Sequence, residues 1–240
     1  MKGFGIVAAL PAEVRALAGT PAAVGSVAQL SDQAILALSG TGPERARAAG
    51  KRLLAEGARG LVSWGVAAAL DPCLRAGSLV LPVRVFGLDT GTYEAHPGWH
   101  RRLVHCLSRH LATSTGPLVE TPVLLTDPVH KRALFERSQA IAADMESAAL
   151  AKLAQEAGAA FVAIRSISDT ASMSLPQWLV SLVDEVGRVD PARLAKALFV
   201  SPGRAGDLAR LAFGFRAAKA TLRNVAENAG RDLLFQVQER

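Results

Sequence analysis

Cysteine is nearly missing from this chain of 240 residues: Cys73 and Cys106 are the only two, and they make no C-x-x-C pair or other metal-ligand spacing. A disulfide scaffold is therefore excluded, and a reduced, intracellular setting is the natural expectation. Long apolar runs are missing as well, since no uninterrupted stretch approaches the ~20 residues that a membrane span needs. The short apolar run in "MKGFGIVAALPAEVRAL" meets Glu13 and Arg15 at once, and no small-residue cleavage site completes a signal peptide, so the expected location is the cytoplasm. There is also no internal repeat and no low-complexity tract.

Apolar material itself is plentiful. Half of the residues (50%) are hydrophobic, which suffices for a sizeable core in one main domain and excludes disorder. The net charge of +6 is unevenly spread: residues 1–187 carry 17 basic and 16 acidic side chains, residues 188–240 carry 10 and 5. This division predicts a nearly neutral main unit over 1–187 and a basic helical extension over 188–240 packed on it.

Runs rich in Val, Ile, Leu and Ala predict strands at Gly3 to Leu10, Ala34 to Ser39, Gly60 to Val66, Ser78 to Val85 and Phe161 to Ser168. Helical periodicity lies between them, notably at Glu44 to Glu56 and Glu146 to Ala157. The alternation predicts an α/β fold, a three-layer α/β/α sandwich around a mixed, largely parallel sheet. From about Leu175 the pattern is helical only, with segments Leu175 to Val186, Pro191 to Phe199 and Ala205 to Asn228 forming an added C-terminal layer.

Sites in such sheets gather at the carboxyl ends of the strands, and acids stand there. Glu13 follows the first strand. The second strand leads through Gly40, Thr41 and Gly42 to a helix with Pro43 at its first position, where exposed amides favour an anion or a polar sugar edge. This loop is neither G-x-G-x-x-G nor a Walker motif, and a plain turn is the simpler reading of it. The third strand ends in small residues, Gly65 to Ala69, which permit a flat ligand or, equally, tight helix packing. Asp144 and Glu146 sit at the start of a helix, where capping is the plain explanation. Ser168 and Asp169 close the most apolar strand, which also carries Arg165. A carboxylate beside buried segments is costly unless paired or hydrogen-bonded, so these acids need a reason to be there.

Taken together, "ALPAEV", "SGTGPERA", "VSWGVAAAL", "DMES" and "IRSISD" resemble the motifs of the nucleoside phosphorylase and nucleosidase superfamily, which includes the methylthioadenosine/S-adenosylhomocysteine nucleosidases. The resemblance covers roughly residues 3 to 175, the bulk of a catalytic domain over 1–187. A narrower one, in "VSWGVAAALDPCLRAGSLVLP" and "KRALFERSQAIAADMESAAL", is to the hopanoid-associated phosphorylases, which implies release of adenine from adenosylhopane. A hydrolytic methylthioadenosine or adenosylhomocysteine nucleosidase and a non-catalytic nucleoside-binding protein are the alternatives.

The resemblance implies that Asp169 donates a proton toward N7 of adenine with Ser168 orienting it, that Glu146 holds the ribose hydroxyls over Met145, and that Glu13 activates water. Gly40, Thr41, Gly42, Gly65, Ala67, Ala68 and Arg165 would complete the substrate site. Phosphate is the alternative nucleophile, with Arg15 and Arg45 as its candidate ligands. Here the sequence departs from the phosphorylase pattern, since Trp64 rather than arginine precedes Gly65. Ala68 and Ala69 stand where relatives have a glycine pair, which narrows the purine slot. No cofactor is implied beyond phosphate as co-substrate, and a homodimer or higher homo-oligomer is expected.

The histidines predict no metal site: His96 and His100 are separated by Pro97 and Gly98 and lack a third ligand. In the C-terminal extension an apolar stripe (Leu208, Leu211, Ala212, Phe215, Ala218, Leu222, Val225) lies apart from Arg204, Arg210, Arg216 and Arg223. Such a helix packs on the domain or on another subunit, or rests on an anionic membrane surface. No nucleic-acid motif accompanies it.

Overall fold

Strands covered by helices on both faces have no reason to alternate apolar with polar residues, and four of the continuous apolar runs become the centre of the sheet. They are Phe4–Ala8 (β1), Ala34–Leu38 (β3), Gly60–Ala69 (β4) and Ala160–Asp169 (β11). β1 runs parallel to β3 and β4, and β4 runs parallel to β11. The computed structural model describes residues 3–20, 23–87, 91–180, 182, 200 and 204–236. Within these residues eleven strands form one mixed sheet.

Short strands extend this centre. Val27–Gln29 (β2) borders β3, while Ala142–Asp144 (β10), Leu118–Glu120 (β9), Arg84–Gly87 (β6) and Gly91–Glu94 (β7) continue outward from β4 in that order. Leu79–Val80 (β5) lies between β11 and Thr113–Ser114 (β8). The strand expected over Ser78 to Val85 is thus two strands. Pro82, with no N–H to give to a ladder, falls in the break.

Five helices cover the sheet before the C-terminal layer: Pro11–Ala18 (α1), Pro43–Ala55 (α2), Pro97–Leu107 (α3), Pro128–Ser138 (α4) and Ser147–Glu156 (α5). Four begin with proline, whose fixed φ and missing N–H suit the first helical position. Pro97 therefore starts α3 instead of spoiling it, and His96 caps the helix by accepting a hydrogen bond from the Trp99 N–H at 3.2 Å. On one face of the sheet Phe4, Ile6 and Ala8 join Trp64, Trp99, Leu222 and Val225 in a single core. On the other, Val7, Ile35 and Ala37 pack with Leu53 and Leu150 from α2 and α5.

After a short helical segment, Gln177–Val180 (α6), the next described helix is Arg204–Ala229 (α7). The expected helices over Leu175 to Val186 and Pro191 to Phe199 fall largely outside the described residues. From Ala218 onward the apolar stripe of α7 faces the domain, with Ala218, Leu222, Val225 and Ala229 buried, while Arg210, Arg216 and Arg223 are exposed. Beyond the helix, Phe235 enters the core with ring centroids 5.1 Å from Phe4 and 4.8 Å from Trp99. The Trp99 indole N–H donates to the Leu233 carbonyl at 2.7 Å, so this end of the chain is sewn to the sheet. No helix among the described residues is long and apolar enough to cross a membrane.

Candidate active site

Where β1 ends, the first turn of α1 turns Glu13 back under the sheet. Its Oε2 accepts hydrogen bonds from the Ala9 and Leu10 N–H groups at 3.0 and 2.8 Å, and its Oε1 accepts one from the Val66 N–H at 2.9 Å. One carboxylate thereby joins the ends of β1 and β4. Burial pushes the Glu13 carboxyl up from its ordinary range, with the Arg165 charge and the three amides opposing.

Gly65 is the reason Glu13 fits. A methyl group built there would lie 2.7 Å from Glu13 Cδ and inside 3.0 Å of both Glu13 Oε1 and Arg165 Nη1. The residue leaves room for two charged groups rather than for a ligand.

Arg165 points from β11 into the interior and is fully buried. Its Nη2 donates to Asp144 Oδ2 at 2.5 Å, Ser63 Oγ at 2.6 Å and Ser147 Oγ at 3.1 Å, and it lies 3.8 Å from Glu146 Oε2. Asp144 does cap α5, accepting from the Ser147 N–H at 3.3 Å, but it also neutralises Arg165. Glu146 reaches the opposite way, and its Oε1 accepts from the Gly42 N–H at 2.9 Å. Burial first and Asp144 second push the Glu146 carboxyl up to about 7, against Arg165 and the Gly42 amide, with Glu13 adding to the rise. The Gly42 amide at the start of α2 is thus occupied by the protein's own carboxylate rather than open to an anion or a sugar edge.

At the end of β11 the register against β4 shifts between Ile167 and Asp169, a bulge at Ser168. Strict alternation would send neighbours to opposite faces, but the bulge lets Ser168 and Asp169 both reach the cleft. The Ser168 hydroxyl donates to Asp169 Oδ1 at 2.7 Å. The other oxygen, Oδ2, is 2.5 Å from the Nζ of Lys131, a fully buried lysine of α4.

The cleft encloses about 580 Å³ including its open mouth. Glu13, Glu146, Asp169 and Asp144 line it, as do Thr41, Met145 and Ser168. Ala67 and Ala68 of β4 line it too, and Leu124 and Leu125 form an apolar edge. Of the other residues expected in the site, Gly40, Gly42, Gly65 and Arg165 stand behind the lining and orient it. Arg15 and Arg45 do not reach it, since both point outward and are exposed on α1 and α2. Among the described lining residues there is no lysine or arginine.

Two buried groups escaped the sequence reading. Glu120, at the end of β9, accepts from the Ala149 N–H in the first turn of α5 at 2.8 Å, and burial pushes its carboxyl up to about 7. Lys131 gave one signal, a lysine on the same helical face as Leu134.

The family model of the phosphorylase superfamily matches residues 4–199. A 5'-methylthioadenosine/S-adenosylhomocysteine nucleosidase of Pseudoalteromonas translucida is 25% identical over 157 residues, 58% of this chain and 66% of its own length. Among solved structures, the Helicobacter pylori 5'-methylthioadenosine/S-adenosylhomocysteine nucleosidase superposes with a TM-score of 0.71 at 16% identity, over 94% of this chain and 96% of its own. The futalosine hydrolase of the same organism gives 0.71 at 16%, over 95% and 96%. The Neisseria meningitidis nucleosidase gives 0.70 at 18%, over 95% and 99%. A family match that takes in every strand of the sheet, on a fold shared along nearly the whole chain, means that this protein belongs to the phosphorylase superfamily.

Proposed function

We propose that this chain hydrolyses the N-glycosidic bond of an adenine nucleoside. The observation that carries the reading is the lining of the cleft, where Glu13 and Glu146 face a ligand, Asp144 and Asp169 are paired with Arg165 and Lys131 behind it, and no lysine or arginine stands among the described lining residues. Such a lining suits water as nucleophile and a sugar that becomes positive, and it repels phosphate.

The roles are those that the family resemblance implies, taken at residues that line the cleft. Asp169, protonated, gives its hydrogen to N7 as the C1'–N9 electrons pass to the base. Glu146, as the anion, accepts hydrogen bonds from the 2'- and 3'-hydroxyls and offsets the oxocarbenium charge, and Met145 meets the sugar face. Glu13 takes a proton from the water whose oxygen bonds to C1', and its raised affinity for protons suits a base. The products are adenine and a free sugar.

The 5'-substituent we place against the apolar edge, where Leu124 is 46% exposed with Val123 and Val129 more so nearby in sequence. An apolar group suits this surface, and the resemblance to the hopanoid-associated phosphorylases makes adenosylhopane the leading candidate, with methylthioadenosine the smaller one. For a lipid-borne nucleoside, the outer side of α7, with Phe213 exposed between Arg210 and Arg216, is the surface we place toward anionic membrane.

Adenine release from methylthioadenosine and adenosylhopane by wild type, Asp169→Asn and Glu13→Gln tests the chemistry. Each variant should lose ~10²- to 10⁴-fold in rate while keeping its circular dichroism. Wild-type turnover in either folded variant would sink the assignment.

A further inference from the structure

We infer that Lys131 is the positioning residue of the acid, holding Asp169 in place and stabilising the carboxylate left when its proton passes to the leaving base. The inference rests on the adenine-releasing reading above and adds a residue to it.

A lysine removed from water must be fully partnered. Lys131 has three N–H donors and three acceptors: Asp169 Oδ2 at 2.5 Å and the carbonyls of Thr170 and Met173, each at 3.0 Å. The carbonyls belong to the turn that follows β11, so α4 and the acid-bearing strand end are joined through one ammonium group. Two of the three acceptors do not depend on the protonation of Asp169, so the cation stays in place throughout turnover.

Its chemical part follows from that fixed position. When the Asp169 O–H bond breaks and the N7–H bond forms, negative charge appears on the carboxyl group. One oxygen then faces the Lys131 ammonium and the other faces the Ser168 hydroxyl, which already donates to Oδ1 at 2.7 Å. Charge that develops beside a preset cation in a water-poor site is stabilised without reorganisation. Lys131 neither gains nor loses a proton, and the hydrogen that reaches adenine comes from Asp169. The buried Arg165 cannot substitute, because it is taken up by Asp144, Ser63 and Ser147 on the sugar side.

A merely structural tie between α4 and the turn would look similar in a static view, so the test must separate the two. Adenine release is measured with the full chain as wild type, Lys131→Met, Lys131→Gln, Asp169→Asn and the double variant Lys131→Met/Asp169→Asn, the slow variants at high enzyme concentration. Lys131→Met should lower kcat by ~10²-fold and leave KM within about threefold, because the loss belongs to the transition state. In the Asp169→Asn background the same replacement should cost no more than about threefold, since the group through which Lys131 acts is already gone. A wild-type kcat in Lys131→Met, or an undiminished ~10²-fold loss in the Asp169→Asn background, overturns the inference. Lys131→Gln, which keeps a donor in the pocket, serves if the methionine variant does not fold, and a wild-type kcat there overturns it equally. Wild-type protein that releases no adenine would instead remove the functional reading, and this inference with it.

Discussion

Replacing Gly65 with alanine adds one methyl group at the point where β4, α1 and β11 converge. On the native backbone the new carbon sits 2.7 Å from Glu13 Cδ. Ordinary carbon contacts lie at ~3.5–4.0 Å, so the carboxyl group must retreat by roughly 1 Å. Neither neighbour can give way cheaply. Glu13 is held by three backbone amides, and Arg165 by Asp144, Ser63 and Ser147. A displacement of that size at a reacting group costs ~10²-fold in rate, and overpacking a filled interior costs ~1–3 kcal/mol. Gly65→Ala should therefore lose about two orders of magnitude in kcat/KM for adenine release, with a fall in Tm of roughly 2–10 °C. Steady-state kinetics and a thermal melt on the same preparation check both. Unchanged values of both would refute the packing argument, and a lowered Tm with intact kcat/KM would remove Glu13 from the chemistry.

Three further outcomes are expected. A carboxyl whose folded-state pKa is raised stabilises the fold while protonated, so Glu146, raised from 4.5 to about 7, makes stability fall as pH climbs through that window. The fall should be on the order of 1–3 kcal/mol; urea midpoints at pH 5 and pH 8 should show it, with a smaller drop in Glu146→Gln, and equal drops in both proteins would contradict the assignment. An alanine at Gly214 would drive its methyl into the Ser168 carbonyl oxygen, lifting α7 from the end of β11 and lowering stability by ~1–3 kcal/mol; an unchanged melt would show that the contact is not tight. Phe235→Ala empties the cluster with Phe4 and Trp99 and should cost ~3–5 kcal/mol by urea unfolding, whereas a loss below ~1 kcal/mol would mean that the terminal segment is not part of the core.

Glu13 and Asp169 were legible in the sequence because each stands at the end of a long apolar run, and the ends of such runs in an α/β sheet define one edge; Glu146 was legible as an acid at a helix start within the "DMES" motif. The central strands were legible from the same apolar runs. β2, β9 and β10 were not, since three residues cannot display a period. Arg165 looked like a ligand contact because alternation along a strand gives a side chain a face but not a depth. The glycine loop read as a plain turn or as a place for an anion or a sugar edge, and nothing local showed that Glu146, 104 positions later, would occupy its amide. Lys131 lies 38 positions from Asp169 on a separate helix, a pairing that only the folded chain reveals. Arg15 and Arg45 were singled out for charge alone, and helix geometry turns both toward solvent.

The central claim is that water, not phosphate, attacks the sugar of an adenine nucleoside. Adenine and sugar products should be quantified from methylthioadenosine and from adenosylhopane, each in phosphate-free buffer and in saturating phosphate. Equal rates are expected in both buffers, with a free sugar as the second product. Release that requires phosphate and yields a sugar phosphate would contradict the claim.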